Sequence, residues 1–303
     1  MLSSHYRNRI RACWLVSVSI LVSLVSAATG FCSCNTPVFR YARENWAPTP
    51  FPLQIFHQGP LPSSQREWIE SINKTGVPVN LQPRVIDVSQ PLSPPDEFSW
   101  KQVQATAPTP WMVLRHPADE GVGAEIWSGK LDAQATRQLV SSPFREKLVG
   151  MLQGEFSVVW VLIPSSDSRQ AMADEQRILA LLGSLEKEIV LSGDDTPAEP
   201  ANLHPRFGLL TLSRDDEQEA ITRKIFMESE PLESSSGSLL FPVFGQGRVL
   251  PALHGSTLTE AQISRWATFL CNGCSCQIKE LNPGFDLLLA ADWPKPALSA
   301  QPS

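Results

Sequence analysis

The sequence is short of the features that would assign a function outright. It has no excess of base: 25 Lys and Arg stand against 31 Asp and Glu, a formal charge of -6. A broadly basic surface for nucleic acid is therefore excluded. It has five histidines (His5, His57, His116, His204, His254) and no two at His-x-x-x-His or His-Glu-x-x-His spacing, so no zinc-protease motif is present. It has no Gly-x-Ser-x-Gly elbow, and Gly245-Gln246-Gly247 lacks the third glycine and the following helix of a dinucleotide loop. Glu44, Asp87, Asp119 and Glu125 are scattered, and no spacing brings them together as paired carboxylates. The uncharged stretch at 14–28, WLVSVSILVSLVSAA, is shorter than the ~20 residues of a spanning helix and is diluted by serine.

What is present is material for packed cores. The chain has 303 residues, 42% of them hydrophobic and 18% charged, which excludes wholesale disorder and points to two domains. Prolines number 26, well above the ~5% usual in proteins, so many turns and loops are expected. The N-terminus reads as a targeting segment. Arg7, Arg9 and Arg11 form a basic n-region, residues 14–28 an apolar h-region, and Val25-Ser26-Ala27 a small-residue exit. A secretory signal peptide over 1–28 is expected, with cleavage after Ala27 or Ala28; an uncleaved anchor is the alternative. Removing it takes three arginines and no acid, leaving a charge near -9 and five cysteines: Cys32, Cys34, Cys271, Cys274 and Cys276. Five is an odd number in a compartment that favours disulfides.

The second half reads as strand 156–163, helix 171–189, strand 208–212, helix 215–227, a hairpin of 239–244 and 248–253 around Gly245-Gln246-Gly247, and a last helix to 270. Its opening Thr257 and Glu260 suggest a capping box, and Gly273 a helix terminator. The first half repeats the order more loosely: strand 53–57, helix 63–72, strand 84–88, a Pro-rich passage 90–110 that admits a short helix at 96–102, then strand 111–114, a turn at 119–123, strand 124–127 and helix 132–140. The polar passage with Gly193, Pro197, Pro200 and Pro205 reads as a linker.

With Phe241-Pro242-Val243-Phe244-Gly245 and Thr109-Pro110-Trp111 each read as a proline before a strand and hairpin, the chain resembles the thioredoxin fold. The resemblance covers most of 51–270 and implies an α/β fold of two thioredoxin-like modules in tandem, each a mixed sheet with flanking helices. The expected organisation is a signal peptide at 1–28, an N-terminal arm at 29–50, module one at 51–148, module two at 149–272, and a Cys-containing extension and tail at 273–303. The Cys-Ser-Cys, Asn35–Trp46 and Asn-Pro-Gly-x-Asp-Leu-Leu-Leu passages also look similar to stretches of exported bacterial proteins of no assigned activity. One face of the 35–46 segment (Val38, Tyr41, Ala42 and Asn45 or Trp46) suits packing against a module.

The family's active members carry Cys-x-x-Cys just after the first strand, where a helix N-terminus lowers the thiol pKa. Here those passages are Gln58-Gly59-Pro60-Leu61-Pro62-Ser63 and Pro164-Ser165-Ser166-Asp167-Ser168, without a cysteine. No catalytic residue carries over and no cofactor is expected. Cys32, Cys34, Cys271, Cys274 and Cys276 remain as disulfide or thiol candidates. They admit disulfides stapling the arm to the extension, a soft-metal site for copper or zinc, or an exchange-active Cys271/Cys274 pair. A helix C-terminus disfavours the thiolate of that last pair. The sequence-level expectation is an exported, periplasmic or extracellular, non-catalytic binding or scaffolding protein with a protein partner in the cell envelope. It has no nucleic-acid partner, and it touches membrane only through an uncleaved signal. The alternative is a thiol-disulfide oxidoreductase or metal-handling protein using the C-terminal cysteines. Asn73-Lys74-Thr75 is a glycosylation sequon in a eukaryotic source only.

Overall fold

The apolar run at Val158–Ile163 is buried at every position and forms an interior strand of the larger sheet. Its side chains alternate: Val159, Val161 and Ile163 enter one core, and Val158, Trp160 and Leu162 enter another. A strand buried on both faces reads as a continuous hydrophobic run.

The computed structural model describes residues 36–73, 76–105, 107–191, 203–228, 236–273 and 278–293. The expected signal segment, Cys32, Cys34, Cys274, Cys276, the sequon's Lys74 and Thr75, and all of 192–202 in the linker lie outside them. All described residues belong to one compact unit. In it helix α1 (Val38–Asn45) precedes β1 (Phe51–His57), α2 (Ser63–Asn73), β2 (Leu81–Asp87), α3 (Pro94–Val103), β3 (Trp111–Arg115), β4 (Glu125–Lys130), α4 (Ala133–Val140) and α5 (Pro143–Gln153). Then come β5 (Val158–Ile163), α6 (Ser168–Glu188), β6 (Phe207–Thr211), α7 (Ala220–Glu228), β7 (Leu239–Phe244), β8 (Arg248–Val249), β9 (Leu253–His254), α8 (Glu260–Cys271) and β10 (Phe285–Asp286).

Two mixed sheets result, of order β2-β1-β3-β4 and β10-β8-β7-β5-β6. In each, the first strand is parallel to the second and antiparallel to the third, and the third is antiparallel to the fourth. The two sheets therefore share one wiring, a mixed α/β arrangement with flanking helices that is compatible with a thioredoxin-like fold.

One core runs through both halves. Leu53, Met112 and Leu114 of the first sheet, Leu148 and Leu152 of α5, and Val159 and Val161 of the second sheet belong to a single buried cluster. The C-terminal segment completes it with Leu287, Leu288 and Leu289, each no more than 2% exposed. This segment also bonds to the first half. Asn80 donates its amide to the carbonyls of Thr49 and Leu287 and accepts from the Leu289 N–H, while Ala291 N–H donates to Pro78. The C-terminal extension is thus a strap across the two sheets. Its approach depends on Gly284, whose φ is +116° and where an added Cβ would lie 1.9 Å from the Val249 carbonyl oxygen. Gly284→Ala is expected to cost about 1–3 kcal/mol in chemical denaturation, from overpacking and a disfavoured φ together.

Several sequence expectations are corrected. Pro242 does not precede a strand; it lies within β7, opposite Trp160. Its carbonyl accepts from Leu250 N–H, so its donorless nitrogen faces the interval where the pairing passes from β8 to β9. The same interval, with Pro251, splits the expected 248–253 strand in two. Among the described residues the cis peptide bond is Thr109–Pro110, just before β3. The last helix is capped by Thr259, whose hydroxyl accepts from Gln262 N–H; Thr257 bonds His254 instead, so the expected capping box is displaced. Asn272, in extended conformation, ends that helix, and Gly273 forms a bridge to Pro37. The Pro-rich 90–110 passage holds α3, started by Ser93 with Pro94 and Pro95 in its first turn, where a missing N–H costs nothing. The helix expected from 215 starts at Ala220 after a 3-10 turn, Glu217–Glu219.

Candidate functional site

The two positions where the resembled family keeps its dithiol are closed by other contacts. After β1, His57 Nδ1 lies 2.7 Å from the Gly59 carbonyl oxygen, to which it donates, and Gly59 N–H reaches Asp87. Ser89 donates to the Asp87 carboxylate through hydroxyl and backbone N–H, which holds that acid below its ordinary pKa. After β5, the Pro164 carbonyl and the Gly237 carbonyl each accept from Arg214 at 2.5 Å. Ser165 N–H donates to the Ser238 hydroxyl, and Ser166 N–H to the Ser236 carbonyl. Asp167 caps α6 by accepting from Arg169 and Gln170. Neither turn presents a nucleophile with a base beside it.

Of the candidate cysteines, Cys271 is described. It is free, 1% exposed, and part of the buried cluster that includes Trp160 and Leu270. Burial pushes its thiol up to about 12, which leaves almost no thiolate at neutral pH. Iodoacetamide at pH 8 is accordingly expected to leave Cys271 unmodified in the folded protein and to modify it in denaturant, as read by peptide mass mapping. Rapid native labelling would sink this assignment. Of the scattered carboxylates, Asp87 serves its turn, and Glu125 accepts from Ser128 and pairs in register with Arg115 across β3 and β4. His204 bonds the Ile189 carbonyl, and His254 ends β9 and caps the 3-10 turn before α8.

A different polar centre lies in the first half. Arg115 ends β3 at a β-bulge, where the register shifts between Leu114 and Arg115, a device that re-aims a side chain. It is 3% exposed. Its Nε donates to Gln54 Oε1 at 3.0 Å, one terminal nitrogen to the Gly123 carbonyl at 3.1 Å, and the other to Gln102 Oε1 at 3.0 Å. All three acceptors are neutral. Gln54 passes the connection on, donating to Asp96 at 3.1 Å. Asp96 is already matched by Arg84, which engages both its oxygens, and by the Ser93 hydroxyl. Beside this network is a cavity of about 360 Å³, whose polar lining is Gln54, Gln82, Arg84, Arg115 and His116, with no carboxylate side chain. His116 is held below its ordinary pKa, mainly by burial, and its Nε2 stands 3.7 Å from Glu228, beyond hydrogen-bond length.

No family model matches the chain. No curated protein matches it either. Among solved structures, the human ERp44 zinc-bound form is similar over 74% of this chain at 11% identity, with a TM-score of 0.22. The chain spans 57% of that protein's length. A likeness of that size carries no inference about activity.

Sequence reasoning passed over Arg115 and its network. In sequence it is one arginine at the end of Trp-Met-Val-Leu, which reads as a strand leaving the core. The signal that was present is weaker: Gln54 interrupts an apolar strand, and a buried amide needs partners.

Proposed function

We propose that this is an exported, non-catalytic binding or scaffolding protein built on two tandem thioredoxin-like modules that lack the redox dithiol. The observation that carries the reading is the content of the two turns after β1 and β5. They hold Gly59-Pro60-Leu61-Pro62 and Ser165-Ser166-Asp167, closed by backbone and side-chain hydrogen bonds, in place of paired thiols. The shared strand order of the two sheets supports the tandem arrangement. The basic n-region, apolar h-region and small-residue exit at 7–28 support export. The role is then to hold a surface or a ligand, with a protein of the cell envelope as partner. The burial of Cys271 counts against the alternative, a thiol exchange or metal-carrying centre on the C-terminal cysteines.

The test is insulin reduction with dithiothreitol as electron source. Turbidity is expected to develop at the rate of dithiothreitol alone, and a rate like that of a true thioredoxin overturns the reading. N-terminal sequencing of the protein recovered from outside the cytoplasm is expected to begin at residue 28 or 29.

A further inference from the structure

We infer that the cavity beside Arg115 is a binding site for a small organic monocarboxylate carrying an apolar body. The cavity stands without the thioredoxin-like reading, and its ligand is independent of any redox chemistry.

A guanidinium has five N–H donors. Three of those of Arg115 are taken, by Gln54, Gly123 and Gln102, which leaves two. It is 3% exposed, and its nearest acid, Glu125 across the β3–β4 pair, acts on it at a distance without an ion-pair contact and accepts instead from Ser128. A buried charge held only by neutral acceptors is costly, and buried charges in proteins are ordinarily paired. The neighbouring acid, Asp96, does not fill this role because Arg84 engages both its oxygens. The neutral imidazole of His116 adds no charge. The cavity therefore keeps at its wall a guanidinium with two N–H donors to spare and no carboxylate bonded to it, and the group that would take those donors is an anion from outside the chain.

The geometry of the wall selects among anions. Arginine's planar fork suits a carboxylate through two parallel N–H···O bonds. The rest of the lining is largely apolar, from Pro52, Leu53, Pro83, Pro95 and Val122. Such a wall favours an apolar body over a fully hydrated ion such as inorganic phosphate, and about 360 Å³ lies within the range of small-molecule sites. The 116–124 loop is held against the cavity by His116 N–H donating to the Ala124 carbonyl. It approaches so closely that a Cβ on Gly123 would lie 2.0 Å from the His116 carbonyl oxygen. The Gly123 carbonyl that this approach delivers is the one Arg115 uses.

Isothermal titration of the full mature protein with benzoate, hexanoate, benzamide and inorganic phosphate tests the assignment. Benzoate and hexanoate are expected to bind; benzamide, the same shape without the charge, is expected to bind at least roughly thirtyfold more weakly, the scale of losing one partner of a buried charge pair. Arg115→Gln is expected to weaken benzoate by a similar factor. Should Arg115→Gln fail to fold, Ala118→Trp gives the second arm. Ala118 is exposed on the cavity rim and outside the network, so the variant is expected to keep its melting temperature and lose benzoate binding. Equal binding of benzamide and benzoate, phosphate binding tighter than benzoate, unchanged benzoate affinity in a folded Ala118→Trp, or no carboxylate binding by the wild type would each overturn the proposal.

Discussion

Arg145→Ala is expected to lower the stability of the folded unit by about 3–5 kcal/mol, the cost of breaking a buried charge network by removing one partner. Arg145 is 3% exposed and joins three parts of the chain. It donates to the Gln138 and Leu139 carbonyls at the C-terminal turn of α4, to the Ser142 hydroxyl that caps α5, and to the Leu288 carbonyl of the strap. Ser142 in turn donates to Glu219 at 2.6 Å. Glu219 also accepts from Phe144 N–H at 2.8 Å and from the Thr222 hydroxyl at 3.0 Å. The arginine thus satisfies carbonyls at one helix C-terminus and the glutamate an N–H at the next helix N-terminus, each the sign that the helix dipole favours. Burial pulls the Arg145 pKa down to about 10 against the raising influence of Glu219 and Glu146, and it remains charged at neutral pH. In the alanine variant, Glu219 stays buried without its cation, and the freed carbonyls lose their donors. The melting temperature is expected to fall on the order of 10 °C. Arg145→Lys is expected to recover only part of this, since one ammonium replaces a fork serving four acceptors. A loss under 1 kcal/mol for Arg145→Ala would show that the network is dispensable.

How much of this was legible in sequence follows from the range of the interactions. Val158–Ile163, the α6 spacing of Ile178, Leu182 and Leu185, and the Gly245-Gln246-Gly247 turn are local patterns, and each appears where the periodicity places it. The failures occur where a distant partner decides. Pro242 in a central strand looks forbidden until the interruption between β8 and β9 is seen to relieve it. The run Asp-Leu-Leu-Leu at 286–289 is too short to declare a helix or strand, and the Asn80 side chain that anchors it lies more than 200 residues away. Asp286 likewise becomes a buried acceptor for Lys279 and Thr49, with the Arg248 cation beside it, only once the strap has folded back on the arm. For the arm itself, the expected face is buried at Val38, Ala42 and Trp46, with Phe39 joining it and Tyr41 only partly covered.

The cysteines supply the last expectation, because the structure changes their arithmetic. The proposed cleavage of the signal leaves five, and Cys271 is free, buried and raised to about 12. Setting it aside leaves Cys32, Cys34, Cys274 and Cys276, an even number suited to two disulfides. Pro37 and Gly273 form an antiparallel bridge, and Val38 N–H donates to the Asn272 carbonyl at 3.0 Å. Chain connectivity alone then keeps Cys34 within three residues, and Cys274 within one, of the same bridge. Under the proposed export and cleavage, the non-reduced protein is expected to carry two disulfides joining the clusters and one free thiol, as read by intact mass and by peptide mapping after alkylation. The first disulfide to form would close a loop of more than 200 residues and the second only a short one, so reduction of both is expected to lower stability by at least roughly 5 kcal/mol in the chain-entropy description. The loss belongs to the arm and α8, so hydrogen exchange is expected to rise first in α1 and at Asn272 and Gly273, while β5 stays protected. Five free thiols in the exported protein, or unchanged denaturation on reduction, would remove the staple and leave the hydrogen-bonded bridge and the buried face of α1 as what holds the arm.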